Sequence, residues 1–376
     1  MDLETSEDQR LISESAEKFL REHYTHDVFR ALVAGETRWR EDIWAGFAEM
    51  GWLGLPFAEK LGGFGMGGAE VATLMEAFGR ALVLEPYIPT VILCGKLLEF
   101  SGGADHLEGI IAGQTRLAFA HDDGGDETAA KPDGGGYVLT GSKKAVTAAP
   151  LATAILFSAK LPEGGTGVFL VSAEQPGLNI RPYFTVDGGC AADITLADVK
   201  VGGGQVLGDG QDAGPAINAA LAHGIAAACA DAVGAMAEMV EQTLDYTQQR
   251  EQFGQPIARF QVPQHRLVDM KLAVEEARAS ALFAALSLDA PDMLRDRAVS
   301  GAKAKVGRAA RFIHQAAIQT HGAIGTTDEL MLGWYAKRLI AFEANFGSTR
   351  EHRRRYGGLI ADPETAASAL LIEAAE

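Results

Sequence analysis

Arg250 closes a long alanine-rich stretch and opens the run Arg250-Glu251-Gln252-Phe253-Gly254-Gln255-Pro256-Ile257-Ala258-Arg259-Phe260-Gln261. A guanidinium is a planar, bidentate donor well suited to a diphosphate, a task lysine does less well. The bland alternative is a solvated charge at a helix end, favoured by the helix dipole. Further on, Gln319-Thr320-His321-Gly322-Ala323-Ile324-Gly325 sets polar side chains beside glycines, which let a backbone approach a ligand closely because they carry no Cβ. The same string reads as a helix C-cap ahead of Thr327-Asp328, and both readings can hold at once. Proton-transfer candidates are few. His223 would titrate near neutral pH, although a lone histidine in an Ala-rich helix is more often a packed or surface residue. Glu343 is a carboxylate that could take a proton. Glu351 lies in Arg350-Glu-His-Arg-Arg-Arg355, which reads as a solvated or phosphate-facing charged segment.

The elements that must position these residues fall into three blocks: an N-terminal helical domain over 1–114, an antiparallel β domain over 115–208 and a C-terminal four-helix bundle over 209–376. The fold class is α+β, mostly α. From Ser6 to about Ile111 apolar residues such as Leu11, Ala16, Phe19 and Leu20 recur at helical spacing, with breaks at Gly51, Gly54 and Gly62-Gly63-Phe64-Gly65. Short β-branched runs then predict strands at Leu117–His121, Tyr137–Thr140, Thr153–Ser158, Gly167–Ser172, Leu178–Pro182 and Ala192–Val201, in a small barrel or sandwich. Gly134-Gly135-Gly136 signals a hairpin. After Asp212-Ala-Gly-Pro215 a helix reaches Gln249, and Pro263 opens a second that stops before Asp289-Ala-Pro291. Helices over Asp292 to Thr320 and Thr327 to Ala344 follow, and Asp362-Pro363-Glu364 caps a short tail helix.

With 376 residues, 47% of them hydrophobic and 22% charged, the chain is of ordinary globular composition. Its formal net charge of -17 disfavours nucleic acid and anionic membranes as partners. Cys94, Cys190 and Cys229 are too few and too scattered for a disulfide framework or a metal cluster, so they read as buried thiols in a reducing compartment and no metal is expected. The acidic N-terminus has no signal-peptide pattern and no stretch has about 18 uninterrupted apolar residues, so a cytoplasmic location is expected.

The Arg250–Gln261 run closely resembles the signature of the acyl-CoA dehydrogenase family, and the helix, strand, helix order extends that resemblance over nearly the whole chain. The resemblance implies FAD as cofactor and an acyl-CoA thioester as substrate, desaturated between its α and β carbons. It implies that Arg250 and Phe253 reach the pyrophosphate and adenine half of a flavin held by a neighbouring subunit, and that Gln319 and Gly322 contact its adenosine part. The own-subunit flavin contacts map to Phe119, His121 and Thr147. Their surroundings depart from the family pattern: Phe119-Ala-His121-Asp-Asp-Gly-Gly-Asp126 is more acidic than usual, and Ala145 stands where the family has tryptophan. Carboxylates beside a pyrophosphate repel it unless they point away.

Counting without gaps from the Gln319–Gly325 motif, the family's catalytic glutamate falls at Phe346. The alternative glutamate position maps to Gly224, and the CoA-contacting arginine beside it to Ile225. A backbone N–H at 346 can still polarise a thioester oxygen, and His223 is the in-chain substitute for the base. This pattern resembles the small subunits of heteromeric acyl-CoA dehydrogenases, those of pimeloyl-CoA dehydrogenase and of enzymes acting on steroid side-chain thioesters among them. A partner carrying the glutamate, in a heterotetramer, and an acceptor of the electron-transfer flavoprotein type are then expected. Three alternatives stand: a self-sufficient homo-oligomer using His223, a flavin-free structural subunit, and a flavin oxidase.

Overall fold

The computed structural model describes residues 6–327 and 329–361, except the side chain of Asp209, so the expected cap at Asp362-Pro363-Glu364 lies outside the described residues. In chain order come α1 (Glu7–His23), α2 (His26–Ala34), α3 (Glu41–Glu49), α4 (Gly68–Ala81), a π-helical stretch Ile88–Cys94 leading into α5 (Gly95–Phe100), and α6 (Leu107–Ile111). The strands are β1 (Leu117–Ala120), β2 (Ala129–Asp133), β3 (Gly136–Thr147), β4 (Ala154–Lys160), β5 (Thr166–Ser172), β6 (Leu178–Phe184), β7 (Cys190–Val201) and β8 (Val206–Leu207). Then follow α7 (Gly214–Gln249), the short pair β9 (Glu251–Gln252) and β10 (Gln255–Pro256), α8 (Gln261–Leu286), α9 (Asp292–His321), α10 (Leu332–Ala344) and α11 (Thr349–Ala361). The helix, strand, helix order is the expected one. By internal contacts the chain divides into two compact units, one of Met1–Phe29, Gly67–Val83 and Ile225–Glu376, the other of Arg30–Met66 and Leu84–Gly224.

The first unit is helical. Ser6 caps α1 reciprocally, its Oγ accepting from Gln9 N at 3.1 Å while Gln9 Oε1 accepts from Ser6 N at 2.9 Å. The buried stripe of α1 is Ile12, Ala16 and Leu20, so Leu11, expected in the core, is 52% exposed and Ile12 takes its place. α4 crosses α7 on two glycines. A Cβ on Gly79 would lie 1.9 Å from Asp231 O, and one on Gly234 would lie 2.0 Å from Glu76 O, so only glycine permits the backbones to meet this closely. α7 is long and apolar enough to cross a membrane by length and composition, yet 83% of its most apolar window is buried, as in the core helix of a bundle. α9 packs against α8, α10 and α11. The Arg350–Arg355 run lies within α11, and α10 starts at Leu332 rather than Thr327.

The second unit carries a sheet in the order β6-β7-β3-β2-β4-β5-β8, with β1 on β4. It is mixed rather than purely antiparallel: β1 runs parallel to β4, and β2 meets β4 in parallel at Ala129 and Lys160. The β2–β3 hairpin lies between β1 and β4 in sequence, and such a long connection is what a parallel pair requires. The hairpin forms where Gly134-Gly135 signals it, with Asp133 facing Gly136 and φ of 55° and 95° at the two turn glycines. β2 itself is unexpected, since Ala129-Ala-Lys-Pro-Asp133 has no β-branched residue. The turn and the register of β3 recruit it. Leu139, Ile155, Phe157, Phe169, Val171, Ile194 and Val199 form part of the core between the strands.

Candidate functional site

Within the helical unit, the end of α7 is remade by the β9–β10 hairpin. Gln252 faces Gln255, Glu251 faces Pro256, and Ile257 N donates to Arg250 O at 2.8 Å. The two-residue turn is Phe253-Gly254 with φ of 54° and 80°, a turn that requires left-handed backbone at both positions. Glycine meets that requirement without strain, whereas phenylalanine costs about 1–2 kcal/mol there. The Phe253 ring is nevertheless 92% exposed, touched edge-on by Phe260 at 6.1 Å. Arg250 is exposed beside it. A strained aromatic displayed in water is the opposite of what stability selects, and strain of this kind collects at functional sites.

The same hairpin is held to the end of α9. The Tyr246 ring stacks on the His321 ring with centroids 4.3 Å apart, and the Tyr246 hydroxyl donates to His321 O at 3.3 Å. His321 is buried, its Nδ1 2.9 Å from Ala317 O, and burial pushes its imidazole down. Gly322 ends α9 at φ 68°, ψ −140°, a conformation glycine alone adopts comfortably, with open space where a Cβ would stand. Gln319 is exposed on the last turn. Arg250, Phe253, Gln319 and Gly322 are thus carried by two segments locked to one another through Tyr246 and His321, residues to which the sequence reading assigned no part.

Phe346 lies in the connection between α10 and α11, half-buried, at φ 59° and followed by Gly347 at φ 91°. Its carbonyl is 2.8 Å from His352 Nε2. The nearby carboxylates are both engaged. Glu343 accepts from Thr349 N at 3.0 Å and from Thr349 Oγ1 at 2.5 Å. Glu351 accepts from Ser348 N at 2.7 Å and Ser348 Oγ at 2.8 Å, bonds that hold its carboxyl below the usual range. A carboxylate fixed as a helix cap is a poor general base, because protonation would cost it those bonds.

In the second unit Phe119, on β1, is buried, and its ring stacks on that of half-buried His121 at 5.2 Å. Behind them stands Lys143, only 2% exposed on its side chain. Its ammonium donates to His121 O at 2.8 Å, Asp123 Oδ1 at 2.8 Å and Ser158 Oγ at 3.3 Å, so each of its protons has an acceptor. His121 Nδ1 is 3.0 Å from the same Ser158 Oγ. Desolvation pushes the Asp123 carboxyl up, but the Lys143 ammonium and two bonds from Thr128 outweigh it and hold the group below its ordinary range. Burial pushes both His121 and Lys143 down. Alternation along β3 puts Leu139, Gly141 and Lys143 on one face, the signal by which the sequence could have marked Lys143 as inward. Thr147 is exposed at the end of β3, between a bulge at Ala145 (φ 51°), whose N–H donates to Asp193 Oδ1 at 3.0 Å, and Ala148 (φ 60°).

His223 is half-buried in the same unit, its ring 5.6 Å from that of Phe100. Cys94, Cys190 and Cys229 are buried free thiols, each pushed up by burial. Among the described residues no group of three His, Cys, Asp or Glu side chains is placed to hold a metal ion.

Three family models match the chain: the acyl-CoA dehydrogenase N-terminal domain over residues 6–102, the middle domain over 122–199 and the C-terminal domain over 213–357. The probable acyl-CoA dehydrogenase YngJ of Bacillus subtilis is 30% identical over 360 residues, covering 88% of this chain and 91% of that protein. Among solved structures, a chain of the ChsE4-ChsE5 complex from Mycobacterium tuberculosis superposes with a TM-score of 0.89 at 26% identity, over 96% of this chain and 99% of the other. The FAD complex of PigA superposes with a TM-score of 0.87 at 25% identity, over 96% and 99%. With matches along most of its length and a full-length relative at this identity, the chain belongs to the acyl-CoA dehydrogenase family of oxidoreductases.

Proposed function

We propose that this chain is a subunit of an FAD-dependent acyl-CoA dehydrogenase that completes a flavin site on a neighbouring subunit and leaves proton abstraction to a partner carrying the base. The observation that carries this reading is the Phe253-Gly254 turn: a strained, 92% exposed phenylalanine beside an exposed arginine has a purpose only when another surface covers it. The helical unit fits the donated half of an FAD. Arg250 is free to present a bidentate guanidinium to a diphosphate, the Phe253 ring to exclude water, and Gly322 to admit a close approach where a Cβ would otherwise stand. The β1 and β3 loops fit an own-subunit flavin less well. Lys143 spends its charge inside the protein on Asp123, and Ala145 offers no ring to lie beside an isoalloxazine.

Bound FAD supplies the acceptor for the β-hydrogen of the thioester, taken as hydride. In this chain Arg250, Phe253, Gln319 and Gly322 would hold it, and Phe346 would stand where relatives place the base. Glu343 and Glu351 cap backbone instead, and Ile225 replaces the CoA-contacting arginine. The catalytic carboxylate and the productive acyl site belong on this reading to a second acyl-CoA dehydrogenase subunit; that a similar chain occurs in the ChsE4-ChsE5 complex supports assembly of this kind. An acceptor of the electron-transfer flavoprotein type and a cytoplasmic location go with it. Co-expression with the gene for a candidate glutamate-bearing partner tests the reading through the flavin content of the assembly. One flavin for each pair of unlike chains, and little on this chain alone, is expected. Full flavin occupancy of a self-sufficient, active homomer would overturn it.

A further inference from the structure

Several contacts converge on the short connection between α10 and α11, more than joining two helices requires. Lys303 of α9 is 0% exposed; its ammonium donates to Phe342 O at 2.5 Å and lies 3.7 Å from the centre of the Phe342 ring. Glu343 receives both the N–H and the hydroxyl of Thr349. That bond pair depends on Gly307, where a Cβ would stand 2.1 Å from Thr349 Oγ1 and 2.8 Å from Glu343 Oε2. His352, 4% exposed, donates from Nε2 to Phe346 O, the tautomer fixed by that carbonyl, while its Nδ1 is buried without a partner. A Cβ on Gly347 would press on His352 Nε2 at 3.2 Å, in a backbone already at φ 91°.

Three features of this turn cost stability. Burying an ammonium and an imidazole with incomplete hydrogen bonding is unfavourable, and a left-handed phenylalanine adds strain. A single C-terminal glycine would end α10 more cheaply. What the arrangement achieves is to fix the carbonyls of residues 342 and 346 from two different helices, α9 and α11, so that residue 346 has one conformation. Lys303 cannot itself serve as a base toward a ligand, because no part of it reaches solvent or a cleft.

We propose that Lys303 and His352 are positioning residues for Phe346, and that Phe346, held rigidly by them, is the specificity-determining residue that keeps acyl thioesters out of this subunit. The proposal rests on the reading that residue 346 stands where relatives carry the base. Both halves are tested on the full chain by calorimetric titration with octanoyl-CoA, with a melting curve for every variant. Phe346→Ala is expected to bind at least about tenfold more tightly than the unaltered chain, a change of about 1.4 kcal/mol. His352→Leu should do the same by letting the turn relax, whereas His352→Gln, which keeps an N–H donor, should preserve exclusion; Lys303→Met and Lys303→Arg should split likewise. Gly347→Ala strains the same turn without removing a buried charge, and it decides the matter if the Leu and Met variants lose their cooperative melt. Tighter binding in Phe346→Ala with none in any turn variant overturns the positioning role and leaves the reading of residue 346 intact. No gain in Phe346→Ala overturns the placement of residue 346 in the acyl site, and the exclusion role with it.

Discussion

Tyr246 and His321 stack at 4.3 Å, and through them the last turn of α7 is fastened to the last turn of α9. The pair spans 75 residues of sequence and uses the hydroxyl, the imidazole face and a backbone carbonyl together. Its consequence is that the Arg250 hairpin and the Gln319–Gly322 segment cannot move independently. Two motifs that read as separate signals in the sequence behave as one preformed surface, which lowers the ordering cost of any ligand they share.

Arg250→Ala should strip FAD from the assembled enzyme while leaving the fold unchanged. The Arg250 side chain is exposed, and its backbone N–H and carbonyl, bonded to Tyr246 O and Ile257 N, are kept by alanine, so the fold of the helical unit is preserved. A desolvated diphosphate would lose a charge-assisted bidentate partner, about 2–5 kcal/mol. The check is the ratio of flavin to protein absorbance after gel filtration, beside far-ultraviolet circular dichroism. An unchanged flavin ratio would mean that Arg250 is a solvated helix-end charge.

Phe253→Gly should separate stability from assembly. Removing a left-handed phenylalanine relieves about 1–2 kcal/mol of strain, part of which returns as unfolded-state entropy. The isolated chain should therefore melt at the same temperature or slightly higher. Flavin retention and partner association should fall, because the ring that is 92% exposed in this chain is the one to be covered. A variant that melts lower and assembles normally would show the ring to be structural.

Expressed alone, the chain should turn over acyl-CoA poorly. A positioned general base is worth about a hundred- to ten-thousandfold in rate; on the proposed reading Phe346 stands at the base position and cannot take a proton, and Glu343 and Glu351 are both engaged as caps. Exchange of the substrate α-proton with deuterated solvent, followed by NMR, isolates this step from flavin chemistry. Rapid exchange by the purified homomer would contradict the expectation, and loss of that exchange in His223→Ala would identify the imidazole as the base.

Much of the architecture was legible in the chain because the signals were local. The Gly134-Gly135 turn, the Ala-rich α7 and the strand runs are set by residues adjacent to one another, and they stand where expected. What escaped was set by tertiary contact. β2 exists because β3 pairs with it, not because Ala-Ala-Lys-Pro-Asp prefers a strand. β1 joins β4 in parallel through a pairing no window of sequence contains. Leu11 and Ile12 are equally apolar neighbours, and only the packing of α1 decides which is buried. At the site, the Arg250–Gln261 and Gln319–Gly325 motifs stood out, while Lys143, Lys303 and His352 did not, since a buried cation looks like any surface charge until its surroundings are known. The α11 charge run reads as solvated, and Arg350, Glu351, Arg353, Arg354 and Arg355 are exposed; its other member, His352, is buried and bonded to Phe346 O.

Lys303 should impose a pH dependence on stability of a recognisable sign. Burial pushes its ammonium down from 10.5 to about 8, opposed by Cys229 and Glu343. The folded state therefore releases this proton before the unfolded state does. Between about pH 8 and about pH 10.5 the unfolded chain holds more protons, so unfolding free energy rises with pH by up to about 1.4 kcal/mol per unit, about 3 kcal/mol in all. Below about pH 8 both states are charged and the buried cation is a constant destabilisation. Urea unfolding of the unaltered chain and of Lys303→Met from pH 7 to pH 10.5 checks this. The variant also leaves Phe342 O unpaired, a cost that does not vary with pH, so only the slope of the difference is diagnostic. Relative to the variant, the unaltered chain should gain stability steadily above about pH 8. A difference that stays flat across that range would mean that Lys303 titrates as an ordinary lysine, and that its ammonium is not held in the low-dielectric interior from which it would fix the turn at Phe346.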